Sequence, residues 1–385
     1  MIRAHKIRLN PTPEQANYFA RAAGTSRFVW NWALAEWNRQ YEAGEKPTAL
    51  KLKKQFNEMR REHFPWTWEV TKNASDQPFL DLGKAFAAFF EGMQHGKKKG
   101  RPQFKSKKSS KASFYLANDQ FELGDHRLWI PKLGWVNMVE NLRFKGKVTE
   151  ARVTRTADWW FISIAVALPD DVPDKREPAV GIDVGLNRLA TLSTGEGYEN
   201  QAFLRTTLKK LRQANKRLHR RVKGSKNREK ARLQLARLHY RITCMRDDEL
   251  HKLSTRLANC YGIIGIENLN IKGLLKNRRL SRSFSDAALR KLLNLLTSKV
   301  EQRGGEVISV GRFFPSTQTC HSCGWKWEGM ELSDRVFLCQ NPACGYHQFP
   351  QDRDYNAALN ILYEALRLIG LLDQAVSGTG QGRGR

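Results

Sequence analysis

The chain has 385 residues, with 66 Lys and Arg against 38 Asp and Glu, which gives a formal net charge of +28 at pH 7. A chain of this length can bury a large core and is typical of two or more domains. So large a positive excess indicates a polyanionic partner, because each neutralised phosphate releases condensed counterions. No apolar run approaches the ~20 residues of a membrane span, and the N-terminus lacks a signal-peptide apolar stretch. We therefore expect a cytoplasmic protein that binds nucleic acid, associates with the nucleoid when bound to DNA, and has no membrane partner.

The first hundred residues predict a strand followed by helices. Residues 2–8 alternate apolar and basic side chains, as a strand with one solvated face does. Apolar spacing then predicts helices, with turns at Gly24, Gly44 and Pro47. The predicted helices cover residues 13–24, 26–44, 48–63 and 79–93. Phe28, Trp32, Leu34 and Trp37 recur at roughly helical spacing, a pattern more typical of a packed core than of a base-stacking surface.

A Lys-rich stretch, residues 95–113, separates these helices from a run of strands. Its Lys, Gly, Ser and Pro composition predicts a loop, either a solvated linker or a segment that contacts phosphates, and its position between folded elements favours the second. Strands are predicted at 114–118, 120–123, 127–134, 148–156 and 159–168, the last two as a hairpin around Ala157 and Asp158. With strand 2–8 they would form a small β-barrel, which residues 169–178 would link to the rest of the chain.

Beyond residue 178 strands alternate with helices, which predicts an α/β sheet with helices packed against it. Strands are predicted at 179–185, 188–194, 261–267 and 306–310, and helices within 202–260, at 286–303 with Ser285 as N-cap, and at 355–369. The basic segments 205–246 and 272–282 carry few acids, so we expect one helix face to pack and the other to meet phosphate. The C-terminal residues 377–385 cannot form a core and are expected to be disordered.

Three acids occupy unusual positions in this pattern. Asp183 lies in the apolar strand sequence GIDVGL, and Glu267 directly follows the isoleucines of IIGIENLNI. Asp354 lies in DRDYNAALNI, where a loop becomes a helix. An ionised acid is costly to bury unless a cation compensates it. Phosphodiester hydrolysis by two ions about 4 Å apart needs several converging carboxylates, and Mg²⁺ suits such a site. We therefore predict that these three acids hold two catalytic Mg²⁺ ions, with Asp352 as a supporting or surface acid.

Four cysteines have the spacing of a metal site. Cys320 and Cys323 form C-H-S-C, and Cys339 and Cys344 form C-Q-N-P-A-C after a hairpin-length insert. Paired, closely spaced cysteines predict one structural Zn²⁺ held by four thiolates, the zinc-ribbon arrangement. We expect His321 and His347 to be bystanders. Cys244 and Cys260, which stand alone, are predicted to be ordinary buried thiols.

The order of these motifs resembles the TnpB family, transposon-encoded RNA-guided DNA endonucleases considered ancestral to the type V CRISPR effectors. The resemblance rests on GIDVGL, IIGIENLNI, FFPSTQTCHSCG, CQNPACG and DRDYNAALNI, and extends to SRFVWNWAL and RLWIPKLGW near the N-terminus. Gln351 departs from the pattern, since many relatives have His before the DRD sequence; this should not disturb metal binding.

The resemblance implies an α/β multidomain protein with an RNase-H-like RuvC nuclease domain, an inserted zinc ribbon and an N-terminal wedge β-barrel that carries a helical recognition insertion. The implied domains are the wedge barrel (1–11 and 112–175), the recognition domain (12–111), the nuclease domain (176–315 and 347–370), the zinc ribbon (316–346) and the tail (371–385).

The resemblance also implies the activity and the partners. Asp183, Glu267 and Asp354 would be the catalytic trio of a Mg²⁺-dependent endonuclease. A guide RNA from the transposon right end would direct it to double-stranded DNA beside a transposon-adjacent motif, following the division of labour known for RNA-guided effectors. Lys72, Gln77 and Asn118 are candidates for reading that motif. We expect a monomer with one RNA.

Two other functions remain open at this point. An RNA-guided repressor would bind DNA without cutting it, although such relatives lose one or more of the acids that this chain retains. A strand transferase or a regulator of transposition could use the same metal-binding fold.

Overall fold

The computed structural model describes residues 1–96, 100–108, 110–169, 177–331 and 333–372. The chain divides into two compact units, Met1–Asp170 and Asp171–Arg385. Most of the predicted linker (170–176) and the predicted disordered tail from residue 373 lie outside the described residues. Within the described part, no helix has the length and apolar character of a membrane span.

The N-terminal unit contains a seven-stranded sheet. Its strands are β1 (Ile2–Asn10), β2 (Ser113–Ala117), β3 (Glu122–Gly124), β4 (Arg127–Ile130), β5 (Gly134–Met138), β6 (Lys147–Thr156) and β7 (Trp159–Ala167), in the order β2-β6-β7-β1-β5-β4-β3. The N-terminal strand β1 pairs with β7 along most of its length and with β5 at its end. Among the described strands, β2 and β3 do not pair with each other, so the closure of this sheet into a wedge barrel stays a prediction.

The predicted strand 127–134 is two strands. Leu133 donates its backbone N–H to the carbonyl of Ile130, and Gly134 has φ of 83°, so the chain turns there. β4 and β5 then pair as an antiparallel hairpin. The predicted hairpin of β6 and β7 is present, with Ala157 in the left-handed region at its turn.

Three long helices accompany this sheet: α1 (Pro13–Glu42), α2 (Ala49–His63) and α3 (Asn73–Gln94), with short 3₁₀ turns at Pro65–Glu69 and Asn118–Gln120. A capping box of Thr12 and Gln15 begins α1. The predicted turn at Gly24 is wrong, because α1 continues through it. A glycine within a helix costs only about 1 kcal/mol, and α1 is buried on both sides of Gly24, with Phe19 in the core of the sheet and Leu34 in a second core shared with α2 and α3.

The aromatic stripe of α1 is core, as predicted. Leu34 and Trp37 are buried, and Phe28 and Trp32 pack against the same cluster. The described part of the Lys-rich stretch forms no helix or strand before β2 begins at Ser113, and part of it is fixed to α1. Asn31 exchanges two hydrogen bonds with the backbone of Lys105, at 2.9 and 2.8 Å.

The C-terminal unit has a five-stranded sheet flanked by helices. Its strands are β8 (Ala179–Asp183), β9 (Arg188–Leu192), β10 (Gly197–Glu199), β11 (Ile263–Glu267) and β12 (Glu306–Val310), in the order β10-β9-β8-β11-β12. β8, β11 and β12 are parallel, whereas β9 and β10 are antiparallel to their neighbours. The helices are α4 (Phe203–His219), α5 (Lys226–Cys260), α6 (Ile271–Leu274), α7 (Ser281–Ala287), α8 (Leu289–Glu301) and α9 (Arg353–Leu368), and a small ribbon pairs β13 (Val336–Phe337) with β14 (Gln351–Asp352).

Three details of this unit differ from the predictions. Gly224, with φ of 86°, separates α4 from α5 inside the predicted helical stretch, and Ser225 caps α5. Ser285 lies inside α7 and is no N-cap, because the chain turns at Ala288 with φ of 50° before α8 begins. Cys244 and Cys260 are exposed and not buried, because Cys244 lies away from the buried helix face that carries Leu250, Leu253 and Leu257, and Cys260 is the last residue of α5.

Candidate functional site

Two of the predicted acids lie side by side at one edge of the five-stranded sheet. β8 and β11 pair in parallel, with Gly181 opposite Gly265 and Ile182 opposite Ile266. Asp183 and Glu267 are the next residue on each strand and the last residue of it. Because the carboxyl ends of parallel strands meet at the same edge of a sheet, the register places both carboxylates there.

The paired glycines explain how the third acid reaches this edge. A Cβ atom on Gly181 would lie 2.5 Å from the backbone nitrogen of Leu362 and still nearer the carbonyl oxygen of Ala358. A Cβ on Gly265 would lie 2.8 Å from the Cβ of Ala365. Helix α9 therefore lies directly on β8 and β11, and its first turn carries Asp354 towards the strand ends.

The carboxyl group of Asp183 interacts electrostatically with both of the other acids. Burial, followed by the negative charges of Glu267 and Asp354, raises the pKa of Asp183 to about 8. No hydrogen-bond donor reaches its side chain among the described residues, which makes the ionised form costly there. Two carboxylates close enough to raise the pKa of a third form an electrostatically coupled acidic site.

In each of the other two acids, one carboxylate oxygen accepts hydrogen bonds from a neighbouring side chain. Ser316, a buried residue, donates its hydroxyl to Oε1 of Glu267. Arg353 donates through Nε and Nη2 to Oδ1 of Asp354, at 3.0 and 2.8 Å, while its Nη1 donates to the backbone carbonyl of Asp334 at 2.8 Å. These contacts orient both carboxylates and leave the second oxygen of each for another ligand.

Asp352 has a different role from its neighbour. It is the N-cap of α9, and its Oδ1 accepts hydrogen bonds from the backbone N–H groups of Asp354 and Tyr355 at 2.9 and 3.0 Å. Its Oδ2 forms an ion pair with Arg188 at 2.9 Å. Since a cap of this kind fixes the first turn of a helix, Asp352 supports the position of Asp354.

Two buried asparagines of α9, which are not among the predicted site residues, hold the chain that leads into the cysteine cluster. Asn360 donates to the carbonyls of Ser316 and Thr319 at 2.8 and 2.6 Å. Asn356 donates to Thr319 at 2.7 Å and accepts from the backbone N–H of His321 at 3.0 Å. The signal was available, because two amides four residues apart interrupt the apolar face of the helix.

The four predicted cysteines form one cluster. The Sγ atoms of Cys320, Cys323, Cys339 and Cys344 all lie within 4.8 Å of one another. Burial raises the pKa of Cys339 to about 12, so this thiol would stay protonated at neutral pH without a cation to stabilise its thiolate. Four sulfur ligands and no other residue in the group are compatible with a zinc site.

This cysteine cluster is the one group of three or more potential metal ligands that lies within 4.8 Å among the described residues, so the acids are spread more widely than the thiols. His321 and His347 are not part of it. The ring of His321 contacts Asn356, and Nδ1 of His347 is buried without a hydrogen-bond partner in the described part of the chain.

The three candidate motif-reading residues lie in the N-terminal unit around the start of α3. Lys72 and Asn118 are exposed. Their chain neighbours Ala117 and Asn73 are in contact, since the backbone N–H of Ala117 donates to Oδ1 of Asn73 at 3.4 Å. Gln77 lies one helical turn further on and donates to Asp81 at 2.9 Å.

Comparison with known families gives three matches along the chain. Residues 1–46 match a family described as "Helix-turn-helix domain", residues 163–278 one described as "Probable transposase", and residues 290–361 one described as "Cas12f1-like, TNB domain". In this structure residues 1–46 contain one strand and one uninterrupted helix, so the first description does not fit the local fold.

Two relatives match almost the whole chain. A Streptomyces pristinaespiralis protein named "Putative RNA-guided DNA endonuclease" is 35% identical over 370 residues, covering 94% of this chain and 89% of that protein. The Escherichia coli K12 protein named "Putative RNA-guided DNA endonuclease InsQ" is 30% identical over 395 residues, covering 98% and 96%. The Cas12f1 chain in a cryo-EM complex with sgRNA and target DNA is similar in fold, with a TM-score of 0.56 at 16% identity, over 91% of this chain and 83% of that one.

Proposed function

Because this chain belongs to the TnpB-like family of transposon-associated RNA-guided DNA endonucleases, we propose that it cleaves guide-selected DNA by hydrolysis at Asp183, Glu267 and Asp354. One observation supports the assignment of residues: Asp183 and Glu267 end two paired parallel strands, and burial together with the charges of Glu267 and Asp354 raises the pKa of Asp183. Carboxylates from distant parts of the sequence that come this close repel one another, and bound cations would compensate that repulsion.

The donor set fits divalent metal ions. Oxygen ligands from two or three carboxylates, with room for water, are what Mg²⁺ prefers. Bound there, two such ions would activate water and stabilise the charge that develops on the phosphodiester oxygens. Their spacing of about 4 Å agrees with carboxylates that are near one another but not gathered around a single point.

The residues of the chain would prepare this site before metal binds. Arg353 and Ser316 each fix one oxygen of their partner carboxylate, so the free oxygens of Asp354 and Glu267 are already oriented. Asp183 would lose a proton when it becomes a ligand, because its pKa in the protein is about 8. Groups that orient ligands in this way contribute 10–100-fold to metal affinity or activity in other metal sites.

The cysteine cluster would hold a structural Zn²⁺, since four thiolates leave no coordination position for substrate. Asn356 and Asn360 bind its first knuckle to α9, the helix that carries Asp354, so loss of zinc would also disturb the acidic site. As partners we propose a guide RNA from the transposon end and double-stranded target DNA beside a short motif, with one protein monomer per RNA. Lys72, Gln77 and Asn118 remain the candidates for contacting that motif.

The test is cleavage by the purified protein loaded with its co-purifying RNA, after that RNA has been sequenced to define a matching target. Asp183→Asn, Glu267→Gln and Asp354→Asn should each lower Mg²⁺-dependent cleavage by at least ~1,000-fold, the effect of losing several kcal/mol of metal-derived stabilisation. Guide-directed DNA binding should be retained. Asp248→Asn, which removes an exposed acid paired with Lys252 in the same unit, is the matched control and should cleave normally.

Other outcomes would replace this assignment. Guide-directed binding without free broken ends in the wild type would identify an RNA-guided repressor. Joined DNA products would identify a strand transferase, and loss of binding in Asp183→Asn would show that Asp183 is structural.

A further inference from the structure

The C-terminal unit contains a cavity of about 730 Å³ that is lined by residues from the segments following both acid-bearing strands. One wall contains Leu186 and Asn187, which follow Asp183 where the chain leaves β8, and a second wall contains residues 278–283, reached from Glu267 through α6. The floor is the start of α4. Each wall is therefore formed by the chain segment that follows one of the two acid-bearing strands. We call this space the arginine cavity.

Four arginines line the cavity and make it positively charged: Arg205, Arg278, Arg279 and Arg282. All four are exposed, and none of them forms an ion pair with a carboxylate in the described part of the chain. Other arginines of this unit are paired, such as Arg188 with Asp352 and Arg256 with Glu196. A guanidinium without a carboxylate, in a concave site, is suited to bind a phosphate through its fork of N–H groups.

Asp286 is the one acid among the described residues that line the cavity, and it does not neutralise these arginines. Asp286 is only 6% exposed, and its two oxygens accept from the backbone N–H of Leu204 at 3.0 and 2.9 Å and from that of Arg205 at 3.3 Å. It therefore acts as the cap that α4 lacks in its own sequence. By fixing the first turn of α4, Asp286 also fixes the backbone from which Arg205 extends.

The remaining lining indicates which part of a nucleic acid would be bound. Asn187, Asn200, Gln201, Ser281 and Ser283 add hydrogen-bonding groups, and none of the described residues that line the cavity is aromatic. Proteins that bind single-stranded bases stack them on aromatic rings, whereas contacts to the backbone use Arg and polar side chains. This lining therefore favours phosphates over bases, and binding that does not depend on sequence.

We propose that the arginine cavity binds consecutive phosphates of the single DNA strand that is positioned for cleavage, on one side of the phosphodiester bond that is cut. The inference rests on the proposed nuclease function, because that function places the cut strand at the edge from which both walls extend. We assign the cavity to the DNA substrate and not to the guide RNA, because only the DNA that is cut has to reach the acids at the ends of β8 and β11. Binding there would hold the strand in register with Asp183, Glu267 and Asp354.

The first test measures binding without cleavage. A fluorescent single-stranded DNA oligonucleotide is titrated into the guide-loaded protein, for wild type, for Arg278→Gln/Arg282→Gln and for a control, Arg256→Gln/Arg290→Gln. The control removes the same charge from exposed positions on α5 and α8, outside both basic segments and outside the cavity. The cavity variant should bind roughly 10-fold more weakly than the control, and the slope of log affinity against log salt should fall by about 1.4, or ~0.7 for each lost phosphate contact.

The second test locates the contact. Uncharged methylphosphonate linkages are placed one at a time along the cut strand near the cleavage position, and single-turnover cleavage is measured. In the wild type, linkages at the contacted phosphates should slow cleavage; in the cavity variant the same linkages should have little further effect, as expected when two changes remove one interaction. Arg278→Lys/Arg282→Lys should restore part of the loss, because the charge is retained without the fork.

Three results would overturn the proposal: equal DNA binding by the cavity and control variants, additive effects of the variant and every methylphosphonate, or loss of guide RNA from the purified cavity variant, which would assign the cavity to RNA. If the wild type does not cleave at all, the nuclease function fails, but the oligonucleotide titration still decides whether the cavity binds a DNA strand.

Discussion

In the metal-free protein, the carboxyl group of Asp183 should lower the free energy of unfolding at neutral pH. Raising the pKa of this carboxyl from 3.8 to about 8 means that the folded protein must keep a proton that the unfolded chain would release. Below pH 3.8 both states are protonated and nothing is lost. As the pH rises from there to about 8, the unfolded state ionises first, so stability falls by 1.36 kcal/mol for each pH unit. By pH 7 the loss is about 4 kcal/mol.

The substitution Asp183→Asn removes this titration while it keeps the size and shape of the side chain. In EDTA at pH 7 to 8 the variant should unfold at a higher temperature than the wild type, by roughly 10 °C, since 1 kcal/mol shifts the Tm of a unit of this size by about 2–4 °C. The difference should shrink towards zero near pH 4. Differential scanning calorimetry across this pH range gives the comparison directly.

Added Mg²⁺ should reverse the order. It should stabilise the wild type, because metal binds only the ionised carboxylates, and it should stabilise Asp183→Asn much less. Asp248→Asn supplies the control for removal of an exposed acid and should show no gain that depends on pH. Equal Tm values for wild type and Asp183→Asn at every pH would refute the claim that the other two acids and burial act on Asp183.

Three further predictions concern the surroundings of the site. In urea unfolding, Gly181→Ala should destabilise the C-terminal unit by ~3 kcal/mol or more, because the new Cβ would collide with the backbone of α9. The control Gly185→Ala should destabilise it far less, because the nearest atom to a Cβ there is a carbonyl oxygen at 3.2 Å. Equal destabilisation by the two substitutions would contradict the placement of α9 on β8. Ser316→Ala should lower cleavage about 10-fold with unchanged DNA binding, because Glu267 loses its orienting hydrogen bond; unchanged cleavage would show that this bond is dispensable. Cys320→Ser should reduce the zinc content measured by elemental analysis and lower the Tm together, and a full complement of zinc in the variant would rule out the four-sulfur site.

Local chemistry made several features readable from the sequence. Cysteine ligands must lie close together along the chain to form a knuckle, so the spacing of Cys320 and Cys323 predicted their cluster. An acid at the end of an apolar strand is costly without a cation, which singled out Asp183 and Glu267. Membership of the family followed from motifs that keep their order along the chain.

The predictions that failed depended on packing. Gly24 was expected to end a helix, but burial on both sides of it outweighs the small cost of glycine. Cys244 and Cys260 were expected to be buried, but Cys244 lies away from the face of α5 that packs and Cys260 is the last residue of the helix, and residue type alone shows neither. In the same way, no sequence pattern predicted that Arg353 and Ser316 orient the acids. Arg353 binds the carboxylate of the next residue, and Ser316 binds a carboxylate 49 positions away.

The sequence by itself determined which residues can do chemistry here: three acids, four thiols and a large excess of positive charge. Only the tertiary structure decided how they are arranged, because a strand register, a helix lying on two glycines and a cap supplied by Asp286 are contacts between segments that are distant in the chain. The same arrangement brings together four arginines that have no carboxylate partner among the described residues, and no spacing in the sequence could have fixed that, since the cavity they line is formed by α4, α7 and the loop before α7.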